Sequence, residues 1–212
     1  MKNIIMTVCS LVFLFSCQTK AQETPITPET PKQVSSSSLT IETAEQTPIS
    51  NDMIKPNLYE YKVKDIDGNV YDFEKLRGKK ILIVNTASKC GYTPQYEDLE
   101  KLYQKFKSNN VVIVGFPAND FGKQEPGTDT DIKEFCRKNY GVTFPMMSKV
   151  SVKGDGMCEL YKFLTQKSKN GVQDSQVEWN FQKYLINEHG ELVRVFSSKT
   201  TPFDPELMMS LR

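Results

Sequence analysis

Two unbroken apolar runs, Ile81–Val84 and Val111–Phe116, constrain this chain more than any other feature. Rich in β-branched and aliphatic residues, with no polar alternation, they read as strands buried on both faces of a sheet. Between them Tyr96, Leu99, Leu102, Tyr103 and Phe106 recur at helical spacing, predicting a helix from Pro94 to about Lys107. Strand, helix and strand of these lengths form a βαβ unit, whose strands are parallel neighbours joined by a right-handed crossover. Ligands meet such a sheet at its carboxyl edge.

The first strand leads into Asn85–Ser88 and then Lys89-Cys90-Gly91-Tyr92-Thr93-Pro94, which puts Cys90 at a strand-to-helix turn on that edge. Unpaired N–H groups and the positive dipole end of a helix N-terminus favour a thiolate. Thr93 can cap the helix and Pro94 suits its first position. Cys90 thus reads as a nucleophile, with a small buried hydrophobe as the structural alternative. Lys89 either lowers the thiol pKa by its charge or is a solvated surface lysine.

Around this unit, Leu58–Val63 and Val70-Tyr71 flank the turn signal Asp67-Gly68-Asn69 and predict a hairpin, followed by a helical turn over Asp72–Leu76. After Phe116 comes a loop, Pro117–Gly127, reading PANDFGKQEPG, of a length that is often functional. Thr128–Tyr140 reads as a helix containing Cys136, Phe144–Val152 as extended, and Gly156–Lys167 as a helix with Cys158 in its first turn. Strands over Phe181–Asn187 and Leu192–Phe196 enclose a turn at Glu188–Gly190, and a last helix follows Pro205. This order is that of a thioredoxin-like α/β fold: a central mixed β-sheet flanked by helices, with an added N-terminal β-hairpin.

A net charge of +1 over 212 residues gives no case for nucleic acid. The single histidine, His189, lies in a turn, so a His-based triad or multi-His zinc site is excluded. The five cysteines, at 9, 17, 90, 136 and 158, show no C-x-x-C spacing, and a thiolate metal cluster is not expected. No cofactor motif is present.

The N-terminus reads as a separate region. Met1-Lys2 and the apolar run Ile4–Phe15 make residues 1–16 a secretory signal. It ends in Leu14-Phe15-Ser16-Cys17, which resembles the lipobox of bacterial lipoproteins and implies lipid attachment at Cys17. A plain cleavable signal with an incidental cysteine is the alternative. Residues 17–55, rich in Ser, Thr, Pro, Gln and Glu, read as a disordered tether, and 56–212 as the folded domain. The expected location is extracytoplasmic, anchored to a membrane through the lipid.

Three blocks then acquire meaning together: Asn85-x-Ala87-Ser88-Lys89-Cys90-Gly91-Tyr92-Thr93, Gly115–Gly127, and Trp179-Asn180-Phe181-x-Lys183. In this order and spacing they resemble the glutathione peroxidase family in its cysteine-containing, thioredoxin-dependent-like branch. The resemblance runs from about Asn57 to the C-terminus. It implies that Cys90 attacks a peroxide and that Gln124, Trp179 and Asn180 surround it, supplying donors that add no titrating group. It further implies Cys136 as resolving thiol, and a thioredoxin-like dithiol protein or glutathione as reductant. The short stretch between Lys149 and Gln176 implies a monomer open to bulky hydroperoxides. Read singly, Trp179 could fill a core, and Gln124 and Asn180 could be turn or capping residues. A metallochaperone would need a second cysteine near Cys90, a disulfide exchanger would need sulfur in place of Thr93, and a tethered non-enzymatic domain would lack peroxide reactivity.

Overall fold

The computed structural model describes residues 57–212; the signal segment, Cys17 and the tether lie outside the described residues. The hairpin comprises β1 (Lys62–Lys64) and β2 (Val70–Asp72), antiparallel. Its turn is held by the Asp65 carboxylate, which accepts the N–H groups of Asp67 and Asn69. Residues 58–60, expected as strand, form a 3-10 turn capped by the Asn57 side chain.

The main sheet has the order β4-β3-β5-β6, with β3 (Lys80–Thr86) parallel to β4 (Val111–Pro117) and antiparallel to β5 (Lys183–Ile186), which pairs with β6 (Leu192–Phe196). The mixed sheet flanked by helices agrees with the thioredoxin-like reading. Helix α1 (Gln95–Phe106) makes the crossover, followed by α2 (Asp129–Tyr140), α3 (Glu159–Thr165), α4 (Lys167–Asn170) and α5 (Pro205–Ser210).

The continuous apolar runs are explained by two cores. Ile81 and Ile83 face one of them, shared with Val112, Val114 and the α3 residues Leu160, Phe163 and Leu164. Leu82 and Val84, on alternate positions, face the other with Leu99 and Leu102 of α1 and Ile132 and Cys136 of α2. A strand with helices on both faces has no solvent side, so it carries no polar alternation.

Residues 144–152 are extended, as expected, and run along the outer edge of β4 through single bonds, Gly115 N–H to Pro145 O at 2.9 Å and Met147 N–H to Gly115 O at 2.8 Å. Pro145 has no N–H to continue a ladder, and the segment shields an otherwise open edge. The helix expected over 156–167 divides into α3 and α4 at Gln166, which is extended (φ −110°, ψ 119°), and Cys158 stands at its N-cap rather than in its first turn.

Candidate active site

The turn after β3 is built by Thr93. Its hydroxyl donates to the Ala87 carbonyl at 2.8 Å and accepts the Cys90 N–H at 2.9 Å. Thr93 therefore does not cap α1, which begins at Gln95 without a side-chain cap; it closes the turn instead. Cys90 is 8% exposed and its Sγ accepts the Tyr92 N–H at 3.4 Å. Lys89 is exposed, as a solvated lysine would be.

The loop after β4 docks on this turn through the Lys89 N–H, which donates to the Gln124 carbonyl at 3.0 Å. The Gln124 side-chain oxygen in turn accepts the Asn180 amide at 3.0 Å. Asn180 is fully buried, with its own Oδ1 unpartnered. The segment carrying it is pinned to the end of β3: Asn85 Nδ2 donates to the Trp179 carbonyl at 3.1 Å, and the Phe181 N–H donates to the Asn85 carbonyl at 2.6 Å. Phe181 holds φ at +68°, a conformation that non-glycine residues adopt only when their surroundings enforce it. Trp179 is 38% exposed, too open for core filling, and its ring lies 5.5 Å from that of Phe121 in the Gln124 loop.

Hydrogen bonds thus bring the loops of Cys90, Gln124, Trp179 and Asn180 together at the carboxyl edge of β3 and β4. Cys136 is elsewhere in the same core, 2% exposed and a free thiol like Cys90 and Cys158. Burial pushes the Cys136 thiol up to about 11, with the Tyr96 hydroxyl acting against the rise and the Glu125 charge adding to it. His189 is exposed in the β5–β6 turn. Among the described residues no group of three His, Cys, Asp or Glu side chains is placed to hold a metal.

The chain matches the family model for glutathione peroxidase over residues 58–165. It is 50% identical over 147 residues to the glutathione peroxidase-like peroxiredoxin gpx1 of Schizosaccharomyces pombe, covering 69% of this chain and 92% of that protein. The chain belongs to the glutathione peroxidase family. The glutathione peroxidase homolog BsaA of Staphylococcus epidermidis is 44% identical, over 69% of this chain and 92% of that one. Among solved structures, Trgpx in its apo form superposes with a TM-score of 0.57 at 35% identity, over 73% of this chain and 95% of that one. A thiol:disulfide interchange protein of the thioredoxin family from Chlorobium tepidum, 18% identical with a TM-score of 0.52 over 74% and 95% of the two chains, shares the fold. This glutathione peroxidase family member is accordingly a thiol-dependent peroxidase, an oxidoreductase.

Three residues of the site went unassigned in the sequence. Lys183, fully buried at the start of β5, donates to Gln95 Oε1, Phe181 O and Thr200 O, each at 2.7 Å, and so ties α1 to the segment holding Asn180. Burial pushes its ammonium down to about 7. Glu125 is 1% exposed and accepts from Ser88 Oγ at 2.7 Å. All three stand inside the matched blocks, which is the signal that could have singled them out; nothing in the sequence marks them as buried.

Proposed function

We propose that this protein reduces hydrogen peroxide and organic or lipid hydroperoxides through Cys90, with Gln124, Trp179 and Asn180 as the groups that orient the peroxide. The observation that carries this reading is the Gln124–Asn180 hydrogen bond, on two loops that are separately tied to the ends of the Cys90 turn and β3. The Cys90 sulfur attacks one peroxide oxygen and the O–O bond breaks. The other oxygen leaves with a proton as water or alcohol, and the sulfur becomes a sulfenic acid. Fixed amide and indole donors favour the developing oxygen charge without competing for the proton.

Cys136 then resolves the sulfenic acid as a disulfide, which a thioredoxin-like dithiol protein reduces. The burial of Cys136 means that α2 must open locally first, because the bond requires Cα atoms within about 7 Å. A lipid on Cys17 would hold the enzyme, as a monomer, at the extracytoplasmic face of a membrane, near lipid hydroperoxides.

The test uses reduced protein and one equivalent of hydrogen peroxide, with quenched samples mapped by mass spectrometry. A Cys90–Cys136 disulfide in the wild type, and a dimedone adduct on Cys90 alone in Cys136→Ser, are expected. Turnover should follow with thioredoxin and its reductase, and be slow with glutathione. A sulfenic acid that persists in the wild type and is turned over equally well by glutathione would replace the resolving reading with a glutathione-recycled peroxidase.

A further inference from the structure

The peroxide chemistry above leaves the buried cation of the site unused. Lys183 stands at the start of β5, opposite Val84 of β3 and Phe196 of β6. It is fully buried, and its three partners, Gln95 Oε1, Phe181 O and Thr200 O, are all uncharged oxygens. Taking an ammonium out of water without a counter-ion is unfavourable, and an apolar side chain of similar length would avoid the cost. Its place in the core therefore asks for a task that an apolar residue cannot perform.

The three bonds run to three different parts of the frame around Cys90. Gln95 opens α1, the helix that follows the Cys90 turn, and Thr200 lies in the β6–α5 loop. Phe181 follows Asn180, and its backbone is gripped at both ends: its N–H donates to the Asn85 carbonyl, and its carbonyl accepts from Lys183. This is the residue held at φ +68°, so the grip fixes the backbone leading directly to Asn180, whose amide reaches Gln124. Gln95 cannot turn its amide to offer a donor instead, because its Nε2 is committed to the Ser198 carbonyl at 2.8 Å. Three oxygens thus converge on one nitrogen. An ammonium has three N–H donors for them, whereas a neutral amine has two and turns a lone pair toward the third oxygen.

We propose that Lys183, in its ammonium form, positions Asn180 for peroxide by clamping the Phe181 carbonyl to the start of α1, so that loss of its proton slows the oxidation of Cys90. The inference rests on the reading of Cys90 as the attacking sulfur and of Asn180 as a group that orients the peroxide. Lys183 touches no reacting atom; it acts through Asn180.

Burial pushes the Lys183 ammonium down to about 7, which brings the change from three donors to two close to neutral pH. The titratable groups on the elements packed around it are otherwise engaged. Tyr96 of α1, whose ring lies 5.2 Å from that of Phe181, and Tyr184 of β5 are held above the ordinary tyrosine range by burial and stay neutral. Glu97 and Asp98 in the first turn of α1 pair with Lys101. Arg194 of β6 pairs with Glu206 of α5, and Lys199 in the loop between them is exposed.

The experiment measures the second-order rate of Cys90 oxidation by hydrogen peroxide from pH 5 to 9 in wild type, Lys183→Met, Asn180→Ala and the double variant. Each rate is divided by the Cys90 thiolate fraction, read from ultraviolet absorbance against Cys90→Ser in the same buffer. In wild type the rate per thiolate should fall about fivefold as pH rises through the ionisation of Lys183 and then level, the effect of one hydrogen bond of ordinary net strength. In Lys183→Met the step should vanish, and at the acid end the rate per thiolate should be on the order of 100-fold below wild type, because all three bonds are gone. The double variant should lie within about twofold of Asn180→Ala alone, since two residues that act as one unit do not add. A double variant slowed by the product of the two single effects would overturn the positioning role, as would a step that persists in Lys183→Met. If Lys183→Met does not fold, the wild-type profile decides, and a flat one refutes the inference. Wild-type Cys90 that reacts no faster than free cysteine would instead remove the peroxide-site reading on which the inference rests.

Discussion

Replacing Thr93 by valine removes one hydroxyl from the turn that carries Cys90 and keeps the shape of the side chain. That hydroxyl satisfies two groups at once, the Ala87 carbonyl and the Cys90 N–H. Thr93 is 5% exposed and Ala87 fully buried, so water does not replace it. Each buried group left without a partner costs about 1–3 kcal/mol, and the matched volume of valine adds no cavity. For the two groups together the range is about 2–6 kcal/mol, and a loss of ~4 kcal/mol in its middle is equivalent to a drop in Tm of roughly 8–16 °C for a domain of this size. Equilibrium urea unfolding of Thr93→Val, Thr93→Ser and wild type measures it. The serine variant keeps both hydrogen bonds and should lose only about 1 kcal/mol for one methyl group. Oxidation of Cys90 by peroxide should slow in the valine variant, because the backbone that positions the sulfur is released. A valine variant within about 0.5 kcal/mol of wild type, smaller than the cost of even one unpaired group, would refute the argument. So would a serine variant as damaged as the valine one.

Gly190, at φ +82° in the β5–β6 turn, would place a Cβ 2.8 Å from two ring atoms of Tyr59, itself anchored by its hydroxyl to the Glu188 carbonyl. Gly190→Ala should destabilise by about 2–4 kcal/mol from backbone strain plus displacement of a buried ring; thermal melts showing a change within a degree or two would contradict it. Lys183 gives a pH signature. Burial holds its pKa at about 7 in the folded protein, against the ordinary 10.5, so between these values the unfolded chain binds more protons and stability rises with pH. Below pH 7 both states are protonated and the desolvation cost is fully present. Lys183→Met should flatten that rise, as read from urea midpoints between pH 6.5 and 9.5; parallel curves for the two proteins would count against it.

The βαβ unit was legible because its strands are buried on both faces and its helix on one, and each environment imposes its own period on the residues. The position of Cys90 followed from that unit alone. The turn chemistry was less legible: Thr93 before Pro94 has the pattern of a helix cap, yet its hydroxyl is captured by the Ala87 carbonyl and the Cys90 N–H. Residues 144–152 read as extended and are so, and Pro145, with no N–H to give, stops them short of a ladder along β4. Glu125 and Lys183 were hardest to read. A charged residue in a polar loop, or at a strand end, looks solvated until partners distant in sequence, Ser88 for one and Gln95 and Thr200 for the other, enclose it.

The central claim is that Cys90 is the peroxide-reactive sulfur rather than an ordinary free thiol. Its most direct measurement is the second-order rate of peroxide consumption by fully reduced protein at pH 7, followed by stopped flow through Trp179 fluorescence, beside Cys90→Ser. The account predicts a rate at least 1,000-fold above that of a free thiol such as cysteine, of the order expected from a preorganised site, abolished by Cys90→Ser. A rate equal to that of free cysteine, or one that survives Cys90→Ser, would contradict it.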